Sequence, residues 1–330
     1  MILAIETSCD DTCAAVVDHD GRIRANVISS QGVHDRYGGV VPEVAARHHL
    51  ELVDVAVEDA LARADATWED VDLVAATQGP GLVGALLIGL SEAKALAAAR
   101  DLPLAPVDHL QGHVAANFLA PDPFEPPFVC LIASGGHTLL ARVEDRRGFT
   151  VLGSTLDDAA GEAFDKGARM LGLGYPGGPA LQRLAEQGDP AAHRFPTADG
   201  VEGLDFSFAG VKTALRYALR DREADPGGGH PSDADLAAAY QHAIVEQLAR
   251  RAERALEATG LDRLAVGGGV AANGPLRERL ARIGATMHVP PHELCTDNAA
   301  MIASAARYVE PLAPGEYLGL DAYATGEAAP

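Results

Sequence analysis

His109 and His113, in the segment Asp108-His109-Leu110-Gln111-Gly112-His113, stand four residues apart where a helix begins, so both imidazoles fall on one helical face within reach of one metal ion. A pair of capping or core histidines would show the same spacing. Internal repetition of the chain adds a carboxylate: Asp297 opens the final helix of a second half at the place where His109 opens its counterpart in the first. A pseudo-twofold cleft would set these helix starts face to face. Two histidines and one aspartate leave positions open on iron(II) or zinc, as a catalytic ion requires. Zinc proteases with a His-Glu-x-x-His motif carry their general base inside it, and Leu110 occupies that place here, so a metalloprotease would lack its base.

Three glycine-rich turns follow buried-type strands: Ser134-Gly135-Gly136, Gly267-Gly268-Gly269, and the loop from Gly174 and Tyr175 through Pro176 to Gly177-Gly178-Pro179. Glycine lets backbone amides approach a phosphate closely, and a helix start behind the turn adds a favourable dipole. A glycine after a strand is also simply a turn, but repetition at equivalent places in two halves favours a nucleotide. No Gly-x-x-x-x-Gly-Lys-Ser/Thr segment and no Gly-x-Gly-x-x-Gly opening a helix after the first strand is present, which sets aside P-loop and dinucleotide readings. Among the acids, Glu6, Asp10 and Asp11 sit at the first hairpin and could orient water, a metal-bound ligand or an amine. Asp10 and Asp11 serve equally well as turn residues. Asp157, Asp158, Glu162 and Asp165 punctuate the first turns of a helix, where the dipole favours negative charge, and Asp165 with Lys166 could reach a sugar or phosphate. His48 and His49 read as solvated helix positions, and His137 as a turn residue.

The elements that must position these groups form one architecture written twice. Strands Ile2–Thr7, Ala14–Asp18 and Ile23–Ile28 lead into a helix over Glu43–Ala64 with Leu50, Val53, Val57, Ala60 and Leu61 on one face. Strand Val71–Ala76, a helix to Arg100, strand Leu104–Val107 and the helix at His109 follow. The order returns with strands Phe128–Ala133, Leu139–Glu144 and Phe149–Leu152, a helix near Ala159–Leu171, strand Leu264–Val266, helix Pro275–Ile283, strand Met287–Val289 and a helix at Asp297. Two βββαβαβα halves predict a duplicated α/β fold with a cleft between subdomains. The expected limits are 1–110 plus 298–330 for the first and 111–297 for the second. An insertion over about 172–259 carries its own helix, where Leu236, Tyr240, Ile244, Leu248, Ala252 and Leu256 recur in steps of four. Its Asp225–Pro231 stretch is a surface loop.

Composition bounds the function. A chain of 330 residues with 48% hydrophobic residues can bury a substantial core, and its net charge of −21 argues against gripping a polyanion by its overall field. Any nucleic acid must meet a local arginine-lined track or a partner's surface, since only Lys94, Lys166 and Lys212 are lysines. Met1–Asp11 has no basic flank and reads as a strand rather than a signal peptide, and Leu82–Leu90 is too short to cross a bilayer. Cys9, Cys13, Cys130 and Cys295 form neither a disulfide framework nor a zinc knuckle, so a reducing cytoplasm fits.

Several of these segments together are recognisable: Ile5-Glu6-Thr7-Ser8-Cys9-Asp10, Gly38-Gly39-Val40-Val41-Pro42-Glu43, Gly79-Pro80-Gly81-Leu82, His109 to His113, Ser134-Gly135-Gly136-His137-Thr138, Gly161-Glu162-Ala163-Phe164-Asp165-Lys166, Asp205-Phe206-Ser207-Phe208 and Cys295-Thr296-Asp297-Asn298. In order and over nearly the whole chain they resemble the TsaD family, once described as a sialoglycoprotease. The resemblance implies the duplicated actin and sugar-kinase fold. It also implies transfer of the threonylcarbamoyl group of L-threonylcarbamoyladenylate to the exocyclic amine of the adenosine beside the anticodon, in tRNAs reading codons that begin with A.

It further implies that His109, His113 and Asp297 bind one divalent metal, iron(II) or zinc, and that Ile132, Ala133, Ser134, Gly135, Gly136, Asp165, Gly178 and Asn273 hold the adenylate. Asn273 on its own reads as a helix N-cap. The archaeal and eukaryotic branch is similar but places a Tyr ligand where Ile132 stands; with His137 this marks the bacterial pattern, and hence a TsaB-like paralogue and a TsaE-like P-loop ATPase as partners, with no membrane. Asp11 stands where many bacterial members have Glu. The reaction is then an acyl transfer in which Asp10 or Asp11 accepts the proton. A phosphotransferase or ATPase of the same fold and a nucleotide-gated scaffold are the other classes the residues admit.

Overall fold

The computed structural model describes residues 1–37, 39–174 and 176–324. Gly38 and Tyr175, each part of a loop motif in the sequence, lie outside them. By its contacts the chain divides into two units: Met1–Pro126 with Asp145–Gly148 and Glu293–Pro330, and Pro127–Glu144 with Phe149–His292.

The first unit contains β1 (Ile2–Glu6), β2 (Asp11–Val17), β3 (Ile23–Ser30), α1 (Pro42–Arg63), β4 (Leu73–Gly79), α2 (Val83–Arg100), β5 (Leu104–Asp108) and α3 (His109–Ala115). Its sheet runs β3-β2-β1-β4-β5, antiparallel on the β3 side of β1 and parallel on the other. The central strands are almost wholly apolar because both faces are covered. Leu3, Ile5, Ala14, Val16, Val74 and Ala76 pack with Val53, Val57 and Ala60 of α1 and Leu90, Ala93 and Ala97 of α2. Strand alternation turns Ile2, Ala4 and Glu6 to the opposite face.

The second unit contains β6 (Phe128–Ala133), β7 (Thr138–Val143), β8 (Thr150–Ser154), α4 (Ala160–Met170), α5 (Gly177–Ala185), α6 (Ala209–Ala224), α7 (Asp233–Thr259), β9 (Arg263–Gly267), α8 (Gly274–Ala281) and β10 (Thr286–His288). Read from its antiparallel edge, the sheet order β8-β7-β6-β9-β10 reproduces that of the first unit, with the same parallel and antiparallel pairings. The expected duplication is therefore present in the strand topology itself. After α9 (His292–Cys295) the chain adds α10 (Ala299–Ala306) to the first unit, where it packs on α3, β1 and β2.

Three expectations change. The limits at 110/111 and 297/298 would give Gln111–His113 and Asp297 to the second half, whereas the packing of α3 on α10 keeps both with the first. Leu50 does not belong to the buried face of α1; its side is 66% exposed, and the buried stripe is Ala45, His49, Val53, Ala56, Val57, Ala60 and Leu61. The insertion holds α5, α6 and α7 rather than a single helix, although Leu236, Tyr240, Ile244, Leu248, Ala252 and Leu256 are buried along α7 as their period requires. Among the described residues no helix is long and apolar enough to cross a membrane.

Leu90→Ala should lower the unfolding free energy by about 2–5 kcal/mol, because the side chain is fully buried between α2 and β1. Leu50→Ala should change it by less than about 0.5 kcal/mol, both values being read by urea titration.

Candidate metal centre and glycine-rich turns

α3 begins at His109 because Asp108 caps it: the Asp108 carboxylate accepts the Gln111 amide at 2.9 Å. One turn later His113 is fully buried. Asp297 comes from the segment before α10, whose cap is Asn298 rather than Asp297, so the two helix starts are not equivalent in register. α10 can approach α3 closely because Gly112 lies between the two histidines; a Cβ there would stand 2.8 Å from Ile302 Cδ1. The packing brings His109 Nε2 to 3.6 Å and His113 Nε2 to 3.3 Å from Asp297 Oδ1. All three belong to the first unit, which corrects the expectation that the two histidines and Asp297 come from opposite halves.

The donor set fits a divalent metal on three observations. One ligand atom from each of His109, His113 and Asp297 lies within 4.8 Å of the others. Ligands at ~2.0–2.1 Å from a tetrahedral ion stand about 3.3 Å apart, close to the two carboxylate–imidazole separations. Neither ring nitrogen of His113 has a hydrogen-bond partner among the described residues, although the side chain is buried. Such an orphan is expensive unless something else takes its lone pair.

Behind His109 stands Glu6, which is also fully buried. His109 Nδ1–H donates to Glu6 Oε2 at 3.0 Å, with Ser8 Oγ 3.2 Å from the same nitrogen. Thr77 Oγ1 donates to Glu6 Oε2 at 2.5 Å, and the Ser8 amide donates to Glu6 Oε1. This fixes the proton on Nδ1 and leaves Nε2 toward Asp297, the carboxylate–histidine arrangement that orients a metal ligand. Burial alone would lower the His109 pKa, but Glu6 and Asp297 outweigh it and push it up to about 9. Burial likewise works to raise Glu6, but the charge and hydrogen bond of His109 hold its carboxyl below the ordinary value. The sequence reading offered Glu6 only as a general orienting acid. An acid in the apolar alternation Ile2, Ala4, Glu6 was the signal for this partnership.

Asp11 opens β2, and burial pushes its carboxyl up to about 7, with Asp297, Asp10 and Glu6 adding to the rise and a Ser30 hydrogen bond opposing it. Asp10 is raised by burial too. Their loop is tied down by His49, which is buried rather than solvated: its Nδ1 lies 2.8 Å from Thr12 Oγ1 and its Nε2 donates to the Cys9 carbonyl at 3.0 Å. The helical stripe Ala45, His49, Val53 was the signal missed.

The adenylate candidates gather in the second unit. Ile132 and Ala133 are buried at the end of β6, so only their backbone is available to a ligand. At Gly135 and Gly136 an added Cβ would meet nothing within 4 Å, leaving open space over the turn, and the Gly161 amide donates to Ser134 O at 3.0 Å to seat α4 against it. Asp165 accepts the amides of Gly177 and Gly178 at 2.9 and 3.3 Å and so caps α5. Asn273 caps α8 through the Leu276 amide at 3.0 Å and donates to Gln182 and Gln241, both at 2.9 Å. Lys166 does not reach outward as expected. It pairs with Asp158 at 2.8 Å and Glu162 at 2.7 Å, and Lys212 also binds Asp158.

The description "TsaD: tRNA N6-adenosine threonylcarbamoyltransferase" matches residues 22–304. A relative with that enzyme name from Clostridium perfringens (strain SM101 / Type A) is 50% identical over 314 residues, covering 93% of this chain and 92% of its own. Another, from Clostridium botulinum (strain 657 / Type Ba4), is 48% identical over 313 residues with the same coverage of 93% and 92%. Among solved structures, component A of the Acidaminococcus fermentans (R)-2-hydroxyglutaryl-CoA dehydratase is similar with a TM-score of 0.56 at 16% identity, over 93% of this chain and 96% of that one. HypF of T. kodakarensis gives 0.61 at 16% identity, over 92% of this chain and 47% of its own. At such identity the likeness is one of fold, and the repeated sheets are those of the actin and sugar-kinase fold.

Replacing the orphaned imidazole by a ring of similar size, His113→Phe, should stabilise the metal-free protein by about 1 kcal/mol while abolishing zinc binding; both are read by unfolding with and without zinc. His109, whose folded pKa of about 9 exceeds its ordinary 6.5, should contribute stability to the metal-free protein that is full below 6.5 and lost as the pH rises through 9. Zinc must displace that proton, so its affinity should climb close to tenfold per pH unit up to about 9 in a competition titration.

Proposed function

The chain belongs to the TsaD family of tRNA N6-adenosine threonylcarbamoyltransferases, and on that premise we propose that it transfers an L-threonylcarbamoyl group from L-threonylcarbamoyladenylate to the N6 amine of the adenosine beside the anticodon, in tRNAs reading codons that begin with A. The observation that carries the mechanism is the set of buried His109 and His113 with the partly exposed Asp297, and with Glu6 behind His109. These residues hold one divalent metal, iron(II) or zinc. When bound, the metal supplies a Lewis acid that polarises a carbonyl oxygen.

The remaining chemistry falls to the chain's own groups. An adenine amine is a poor nucleophile because its lone pair is delocalised, so the donor must be a mixed anhydride. The N6 nitrogen forms a bond to the carbamoyl carbon, the bond from that carbon to the phosphate oxygen breaks, and AMP leaves. Asp11, with Asp10 beside it, accepts the N6 proton; a carboxyl near neutrality is suited to that task. The backbone at Ile132 to Gly136 and at Gly178 receives the adenylate, with Asp165 and Asn273 fixing the helix starts that flank it. Amides at the open turn take up the charge that develops on departing AMP. The same reading places the protein in the cytoplasm with tRNA, a TsaB-like paralogue and a TsaE-like P-loop ATPase.

Purified protein supplied with those partners, threonylcarbamoyladenylate and unmodified tRNA should form the modified nucleoside, and His109→Ala should not. Turnover should rise with pH and level off at or above about 7, because the base acts deprotonated. Asp11→Asn should reduce turnover by about 10²–10⁴-fold with metal and adenylate still bound. Full turnover in both Asp10→Asn and Asp11→Asn would remove these residues from the proton step.

A further inference from the structure

After α10 the chain returns across the first unit as a strap whose one helical turn among the described residues is the 3-10 segment Glu316–Gly319. Leu312 exchanges backbone hydrogen bonds with Leu104 of β5 at 2.8 and 3.0 Å. Lys94 Nζ of α2 donates to Leu320 O at 2.7 Å, and Gln78 Nε2 donates to Asp321 O at 2.9 Å. The Tyr323 amide then donates to Gln78 O at 3.3 Å, and Ala324 forms a parallel bridge with Gly81.

The strap carries Tyr323, only 5% exposed, whose hydroxyl lies 2.7 Å from Asp108 Oδ2 and 2.9 Å from Gly79 O. A phenol carries one proton, and the shorter contact gives it to the carboxylate. Asp108 is the cap of α3, and its other oxygen already accepts the Gln111 amide. Both oxygens of the cap are therefore fixed, and the next residue is His109.

The seat for the ring is built into the turn after β4. A Cβ on Gly79 would lie 2.8 Å from Tyr323 Cγ and Cδ1, so glycine alone admits the ring. A Cβ on Gly81 would lie 2.6 Å from Ser8 O, and Ser8 Oγ is 3.2 Å from His109 Nδ1. Two short routes thus run from the strap to the same imidazole, one through Asp108 and one through the glycine turn and Ser8.

We infer that Tyr323 is a positioning residue for the metal centre: its hydroxyl holds the cap of the histidine helix and thereby sets metal affinity. This rests on the reading of His109, His113 and Asp297 as metal ligands. The phenol's hydrogen-bond partners are Asp108 and Gly79 O, and its action is through Asp108.

The test is zinc titration against a competing chelator on the full chain, with unfolding of each metal-free protein recorded alongside. Tyr323→Phe keeps the ring in its seat and should weaken zinc binding about three- to tenfold, the size of one lost hydrogen bond. Lys94→Met loosens the strap at Leu320 without touching Asp108, and its affinity should stay within about twofold of the parent. Parent-like affinity in Tyr323→Phe, even with a lowered unfolding midpoint, would overturn the inference and leave the metal site standing, as would equal losses in Tyr323→Phe and Lys94→Met. A parent that binds no zinc, or a His113→Phe variant that binds it like the parent, would overturn the metal site and this inference with it.

Discussion

The constraint on which the first unit turns is the burial of charge. Glu6 and His109 are buried and hydrogen-bonded to each other, with Asp297 on the far side of the ring. An isolated buried charge is strongly unfavourable, so each member of the set depends on the others being present and correctly placed. That dependence explains why so many backbone and hydroxyl groups converge there: the Ser8 amide and Thr77 hydroxyl on Glu6, and the Asp108 cap at the head of the helix. Glycine at position 112 is the packing counterpart, since it lets α10 carry Asp297 to the two imidazoles.

Duplication of the fold supplies two similar sheets and two dissimilar ends. In the first unit the carboxyl ends of β1, β4 and β5 lead to Glu6, Gly79 and Asp108, which lie beside the proposed ligands His109 and His113, while Asp297 arrives from the segment before α10. In the second, the end of β6 leads to a turn of glycines with open space above it, and the same unit holds the capped helix starts of α5 and α8. The function proposed above assigns a cation to the first unit and a phosphate-bearing ligand to the second. The net charge of −21 is compatible with tRNA as substrate if the RNA meets a local surface, because long-range attraction is not available to it.

Much of this was legible in the residues, and the parts that were not have identifiable reasons. Apolar strands and i, i+4 spacing were enough for the repeated topology and for pairing His109 with His113. The origin of Asp297 within the first unit was not, because sequence order places it after the second unit and only the return of α10 brings it back. Leu50 and His49 were exchanged in the reading of α1: hydropathy favoured the leucine as the buried residue, while a histidine whose two nitrogens are both satisfied can be buried in its stead. Lys166 looked available because a lone lysine near a glycine loop suggests phosphate, yet two carboxylates claim it. Tyr323 gave no local signal at all, since its partner lies more than two hundred residues away in sequence.

X-ray absorption spectroscopy of the zinc- or iron-loaded protein tests the central claim most directly. The account predicts a first shell of nitrogen and oxygen only, with the scattering of two imidazoles and ligand distances of about 2.0–2.2 Å. A sulfur at about 2.3 Å, drawn from Cys9, Cys13 or Cys295, or a spectrum without imidazole, would contradict it.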